Sequence, residues 1–168
     1  MSLRGKLPPM KARWIIIDGY SLLHRAPAPA KIGTAAREQL VARLGATGEA
    51  LAERITVVFD GAGFVGERQA QPPAPVEVIY ATAAQTADSV IERLAHEATR
   101  PEEILVVTSD RAERETVDAA GVATLGCSDF LHHLAATENT LRRSASNLKH
   151  QAPPAVLGDF FPKRDQKS

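Results

Sequence analysis

The chain is sparing in the residues that mark specialised protein classes. It carries one cysteine, Cys127, in 168 residues. A lone thiol excludes an internal disulfide and the paired spacings of a zinc finger, and it accords with a reducing cytoplasm. Aromatic residues make up 5% of the sequence, so a core has to be built from Ala, Val, Ile and Leu. Neither sign of charge is in excess, because twenty Lys and Arg balance twenty Asp and Glu. Net charge therefore gives no pointer to a polyanionic partner, although a local basic patch can still dominate binding. No apolar run approaches the roughly 20 residues that cross a bilayer, so no membrane contact and a cytoplasmic location are expected. The basic start (Arg4, Lys6, Lys11, Arg13) leads into an apolar run that is too short for a signal peptide and ends in Asp18. A P-loop and a Gly-x-Gly-x-x-Gly turn are also missing, which sets aside nucleotide binding of those kinds.

What is present is an alternation of short apolar runs and helical patterns. Apolar content of 44% and charged content of 24% suit one globular domain at this length. Residues 13–17, 55–59, 76–80, 104–108 and 122–125 read as strands, short and rich in Ile and Val. A short helix follows Asp18, broken by Pro27 and Pro29. Thr34 is the expected N-cap of a helix of about twenty residues with Leu40, Leu44 and Leu51 inward, bent at Gly45 and Gly48. Thr86 caps a helix whose Ala87, Val90, Ile91, Leu94, Ala95 and Ala98 share one face, and Pro101 stops it. Residues 111–120 form the next helix, with Gly121 ending it. Ser128 or Asp129 caps a last helix running to about Leu148. Strands alternating with helices predict an α/β fold, a three-layer α/β/α sandwich around a mostly parallel sheet. Residues 1–12 read as a flexible lead-in, 13–148 as the domain, and 149–168 as an extended or disordered tail. The segment 61–75, rich in Gly, Pro and Gln, reads as a long loop with a functional role.

Four aspartates fall where such a sheet would gather them. Asp18, Asp60 and Asp110 end or follow apolar strands, and Asp88 opens the helix that precedes the 104–108 strand. Ligands of open α/β sheets bind beyond the carboxyl ends of the strands. Carboxylates crowded there repel, and each holds its proton unless a cation neutralises them. A divalent metal site is the economical reading. Such a cation can orient a water, lower its pKa and steady charge on a phosphoryl oxygen. Simpler readings exist for each acid. An Asp after a strand is a common turn former. Asp88 taken alone fits a partner of the helix dipole. Glu113, in the first turn of the next helix, reads equally as a further, supporting carboxylate for the pocket and as a dipole partner. Glu92, one turn past Asp88, reads either as a supporting acid or as an ordinary exposed residue.

The four segments together resemble the NYN domains of the PIN-like nuclease superfamily, and most closely the YacP-like branch. The resemblance rests on Ile15-Ile16-Ile17-Asp18-Gly19-Tyr20-Ser21-Leu22-Leu23, Val57-Val58-Phe59-Asp60-Gly61, Ala87-Asp88-Ser89-Val90-Ile91-Glu92 and Val106-Val107-Thr108-Ser109-Asp110. It spans about residues 13 to 137. It implies a Rossmann-like, PIN-like sheet and a metal-dependent endoribonuclease using Mg2+ or Mn2+. By that match Asp18, Asp60, Asp88 and Asp110 are the metal-binding, catalytic acids. The family motif usually has Asn where this chain has Ser21, a residue expected to orient the first aspartate or the substrate phosphate.

The implied partner is RNA (mRNA, rRNA or tRNA), met free or on the ribosome. His24, Arg25, Arg68 and Arg111 lie near the acidic segments in sequence and are candidates to touch phosphate; each also fits a solvated surface charge. Tyr20 could stack on a base or pack beneath the first loop. An alternative function is an RNA- or ribosome-binding module with weak or no catalysis, for which the serine at position 21 is the motive. An aspartyl phosphatase would want an acid at position 20, where the chain has Tyr20. A phosphoacceptor receiver would want an acidic pair near the first strand, which is lacking.

Overall fold

In the computed structural model, residues 12–27, 32–61 and 74–151 are described. Five strands, β1 (Ala12–Asp18), β2 (Ala52–Asp60), β3 (Val76–Ala81), β4 (Ile104–Val107) and β5 (Ala123–Leu125), form one sheet. Its order is β3-β2-β1-β4-β5, and every neighbouring pair is parallel. Parallel neighbours need crossovers: α1 (Gly19–Arg25) and α2 (Thr34–Leu51) connect β1 to β2, α3 (Ala87–Glu97) connects β3 to β4, α4 (Arg111–Ala119) connects β4 to β5, and α5 (Cys127–Gln151) follows the last strand, while most of the β2–β3 connection lies outside the described residues.

The helices cover both faces of the sheet. Side chains alternate along each strand. Ile15, Ile17, Ile55, Val57 and Phe59 face a core shared with Leu22, Leu40, Leu44, Phe130 and Leu134 of α1, α2 and α5. Ile16, Val58 and Val106 face the opposite core, with Val90 and Ile91 of α3 and Val117 of α4. The scarce aromatics are used economically, Phe59 and Phe130 being the largest fully buried side chains. Each such apolar side chain stabilises the fold by about 1.5–3 kcal/mol.

The expected elements are all present, with shifted edges. Strand β2 begins at Ala52, three residues before the apolar run, because Ala52 and Arg54 pair in register with Ala12 and Trp14. Arg54 lies over the Trp14 ring and bonds Glu77 on the other side. Helix α2 is capped by Gly33 without a side-chain bond, so Thr34 is its first residue and not its cap. It runs on through Gly45 and Gly48, where Gly48 gives room to the Pro75 ring. Helix α5 begins at Cys127, ahead of Ser128 and Asp129, with the Phe130 amide bonding the Gly126 carbonyl. It extends to Gln151, three residues into the segment read as tail. Gly121, at φ 82°, occupies the left-handed turn after α4. Strand β1 takes in Ala12, the last residue of the expected lead-in, and the rest of the lead-in, most of the 61–75 loop and residues 152–168 lie outside the described residues. No described helix is long and apolar enough to cross a membrane.

Candidate functional site

The chain runs from β1 to β2 to β3 in one direction across the sheet, then crosses back to β4 and β5. The direction of travel reverses between β1 and β4, which opens a crevice at their carboxyl ends. Asp18 closes β1 and Asp110 follows β4, so both flank that crevice. Asp60 closes β2, one strand away, and Asp88 is the second residue of α3, the crossover that returns the chain over the switch point.

Asp18, Asp60 and Asp110 each accept from backbone amides at the start of a helix. Asp18 caps α1: its Oδ1 accepts from the Ser21 amide at 3.1 Å, and its Oδ2 from the Ser21 hydroxyl at 2.8 Å. The residue is 7% exposed, so this pair of bonds fixes its rotamer. Gly19 allows the turn to sit on the Phe59 ring, where a Cβ would overlap ring atoms. Asp60 reaches out of its own segment, and its Oδ1 accepts from the Ala87 amide at 2.8 Å. That bond ties the end of β2 to the first turn of α3 and so places Asp88. Thr86 caps the same helix, accepting from the Ser89 amide. Asp110 caps α4, its Oδ1 accepting from the Ala112 and Glu113 amides at 2.7 and 3.1 Å.

Asp18, Asp88 and Glu113 each offer one carboxylate oxygen to a group whose members all lie within 4.8 Å of one another. They come from β1, α3 and α4. Among the described residues, this is the one set of metal-ligating side chains gathered so closely. Asp60 and Asp110 stand outside it, close enough to act on it through charge. Desolvation first, and then the charges of Asp18, Asp110, Asp60 and Glu92, raise the proton affinity of Asp88. Glu113 is only 3% exposed, and neither of its oxygens has a hydrogen-bond partner. Burial pushes its pKa up to about 7, with the charges of Asp88, Asp18 and Asp110 adding to the effect. The neighbouring Thr108 hydroxyl opposes the rise without reaching hydrogen-bond geometry to either oxygen. The crevice thus concentrates negative charge that a cation would neutralise.

The other sequence candidates divide. Ser21 touches Asp18 directly. Glu92 is half-buried one turn beyond Asp88 and contributes to its field. His24 and Arg25 are exposed in the last turn of α1, roughly 9 Å along the helix axis beyond Asp18 at 1.5 Å per residue. Arg111 is exposed beside Asp110 and pairs with Glu115 at 3.2 Å. Arg68 lies outside the described residues. Tyr20 packs edge-on against Phe59 at 5.3 Å, and its hydroxyl accepts from Arg37 at 2.9 Å. Thr108, which sequence reasoning missed, accepts from the Asp110 amide at 3.1 Å. Its signal was a hydroxyl two residues before an N-cap aspartate.

Comparison with known proteins agrees with this architecture. The curated protein YacP of Bacillus subtilis (strain 168) is 26% identical over 148 residues, covering 85% of this chain and 87% of its own. A crystal structure of Rae1 (YacP) from Bacillus subtilis superposes with a TM-score of 0.71 at 25% identity, covering 82% of each chain. A second crystal structure, of a mutant form of the same Bacillus subtilis protein, gives a TM-score of 0.70 at 24% identity over 87% of this chain and 89% of that one. With the model of the YacP-like NYN domain matching residues 15–159, this chain belongs to that family, whose domains are nuclease-like hydrolases with an RNA-related function.

Proposed function

We propose that this protein is an endoribonuclease that hydrolyses RNA phosphodiester bonds with the help of Mg2+ or Mn2+ bound in the acidic crevice. The observation that carries the reading is the convergence of three carboxylates, from β1, α3 and α4, within the reach of one ion. The fit of a cation can be judged from the donors. They are all carboxylate oxygens, which suit hard divalent ions. One of them, Glu113, is buried and unpartnered, and Asp88 is held above its ordinary proton affinity by desolvation and its acidic neighbours.

A bound divalent cation supplies Lewis-acid activation of a water or of a phosphoryl oxygen. The chain's own residues supply placement. Ser21 holds the Asp18 carboxylate in one orientation, and Asp60 holds the start of α3, so that Asp88 faces Asp18 across the crevice. Asp110, anchored through one oxygen to the α4 amides, keeps its other oxygen free for a water or a ligand. Arg111 and, further out, Arg25 provide positive charge for the phosphate backbone, His24 offers a hydrogen-bonding ring beside Arg25, and Arg68 is a further candidate from the sequence. The substrate is RNA, as an mRNA, rRNA or tRNA and free or on the ribosome, and the setting is the cytoplasm.

The test uses purified protein, Mn2+ and a structured RNA. Cleavage is expected; Asp18→Asn should abolish it, and Asp110→Asn, which keeps the α4 cap but removes the charge beside the site, should reduce it. Cleavage that persists unchanged in either variant would place the chemistry elsewhere. The serine at position 21 gives no support to a purely RNA-binding role, because its hydroxyl makes the orienting bond to Asp18. Tight, metal-independent RNA binding without strand breaks would favour that role instead.

A further inference from the structure

We infer that Glu113 is itself a metal ligand, completing with Asp18 and Asp88 a three-carboxylate inner set, while Asp60 and Asp110 act from outside it as positioning residues. The inference deepens the metal-site reading above and rests on it.

Sequence pattern gives Glu113 two ordinary occupations, and the structure leaves one of them empty. Asp110 is the N-cap of α4, and Glu113 is the third residue of that helix. A glutamate at this position usually reaches back to the N-cap amide, closing a capping box. Here that amide donates to Thr108 Oγ1 instead, at 3.1 Å. Glu113 is thereby released from capping, and neither of its oxygens gains another bond. The helix dipole remains as a second occupation, but it accounts for about 0.3–1 kcal/mol at exposed sites and does not require burial. A carboxylate so fully covered by the protein, with no cation beside it among the described residues and only the unbonded Thr108 hydroxyl nearby, is costly to ionise if left uncompensated. What it faces is Asp18 and Asp88.

The spacing suits an ion. Oxygens on opposite sides of Mg2+, with bonds of 2.0–2.1 Å, stand about 4.1 Å apart. The three oxygens here all lie within 4.8 Å of one another, at most about 0.7 Å beyond that span, and unneutralised carboxylates stand further apart than metal-bound ones. Asp60 and Asp110 each spend an oxygen on backbone amides and stand outside this group.

The experiment is Mn2+ titration of the full chain near neutral pH, followed by calorimetry and by electron paramagnetic resonance of the free ion. Folding of each variant is checked by circular dichroism. Wild-type protein is expected to bind Mn2+. Glu113→Gln should weaken binding tenfold or more, and Asp60→Asn and Asp110→Asn should weaken it less. Glu113→Asp keeps the charge but withdraws the oxygens by one methylene, so a ligand role predicts weaker binding and a bound Mn2+ with more exchangeable water. Affinity of Glu113→Asp equal to wild type would reduce Glu113 to a nearby charge and overturn the assignment. Unchanged affinity in Glu113→Gln would do the same while leaving the metal site standing. Failure of the wild-type protein to bind Mn2+ would remove the metal-site reading, and this assignment with it.

Discussion

The buried, unpartnered Glu113 makes the metal-free protein weaker as pH rises. Its folded pKa of about 7 lies above the 4.5 of an ordinary glutamate. A raised acid favours the folded state in its protonated form. The stabilisation is complete below about pH 4.5 and is lost as pH climbs through about 7. The gap between these two values, at 1.36 kcal/mol per pH unit, amounts to roughly 3 kcal/mol over the whole titration. Between pH 5 and pH 8 the share lost is about 2–3 kcal/mol, or roughly 5–10 °C in midpoint temperature for a domain of this size. The raised proton affinity of Asp88 acts in the same direction. The assay is urea or thermal unfolding in a chelator at a series of pH values, for wild type and Glu113→Gln. Carboxylates remote from the crevice titrate alike in both proteins and cancel on subtraction, whereas Asp18, Asp88 and Asp110 titrate together with Glu113. The glutamine amide brings its own cost of about 1–3 kcal/mol if it finds no partner, but that cost does not vary with pH. The difference in slope therefore reports Glu113 with its coupling to the neighbouring acids, and the variant curve should be flatter by about 2–3 kcal/mol across this range. Parallel curves would refute the argument, because they would mean that the carboxylate is solvated or paired. Mn2+ at a hundred times its Kd should return about 2.7 kcal/mol to the wild type at pH 8.

Three further outcomes follow from the same geometry. Ser21→Ala removes the 2.8 Å bond to Asp18 and should weaken Mn2+ binding by about tenfold, as loss of a ligand-orienting bond commonly does, with little change in melting temperature in chelator. Gly19→Ala drives a methyl into the fully buried Phe59 ring and should cost about 1–3 kcal/mol, read from the urea midpoint. Asp110→Ala strips the α4 cap, which bonds two amides, and should cost about 1 kcal/mol in unfolding free energy, while Asp110→Asn, an equally good cap, should recover most of it.

The frame was plain in the sequence because parallel strands buried on both faces leave continuous apolar runs, as at 14–17, 55–59 and 104–107. The edges were less plain. Ala52, Glu53 and Arg54 carry no apolar pattern; they join β2 through pairing with β1, a contact some 40 residues distant along the chain. Helix α5 starts after Gly126, which offers no side-chain cap, while Ser128 and Asp129 advertise caps the helix does not use. Three acids at strand ends were readable from position alone, and Asp88 from the family pattern. Glu113 was readable equally as a further carboxylate for the pocket and as a dipole partner. Its burial follows from tertiary packing, and its freedom from capping follows from a threonine hydroxyl that takes the amide in its place.

The scarcity of aromatic side chains leaves this protein with a built-in pair of optical reporters. Its single tryptophan, Trp14, is half-buried near the start of β1, beneath Arg54 and bonded to Thr56. Its two tyrosines stand at the opposite end of the sheet, where Tyr20 and Tyr80 pack on the two sides of Phe59, directly behind the turn that carries Asp18. Tryptophan emission therefore reports loss of the strand frame, whereas tyrosine signals in the near-ultraviolet report the acidic end. An ion entering the crevice should alter the second and spare the first, so that occupancy and unfolding can be followed separately in one unlabelled sample.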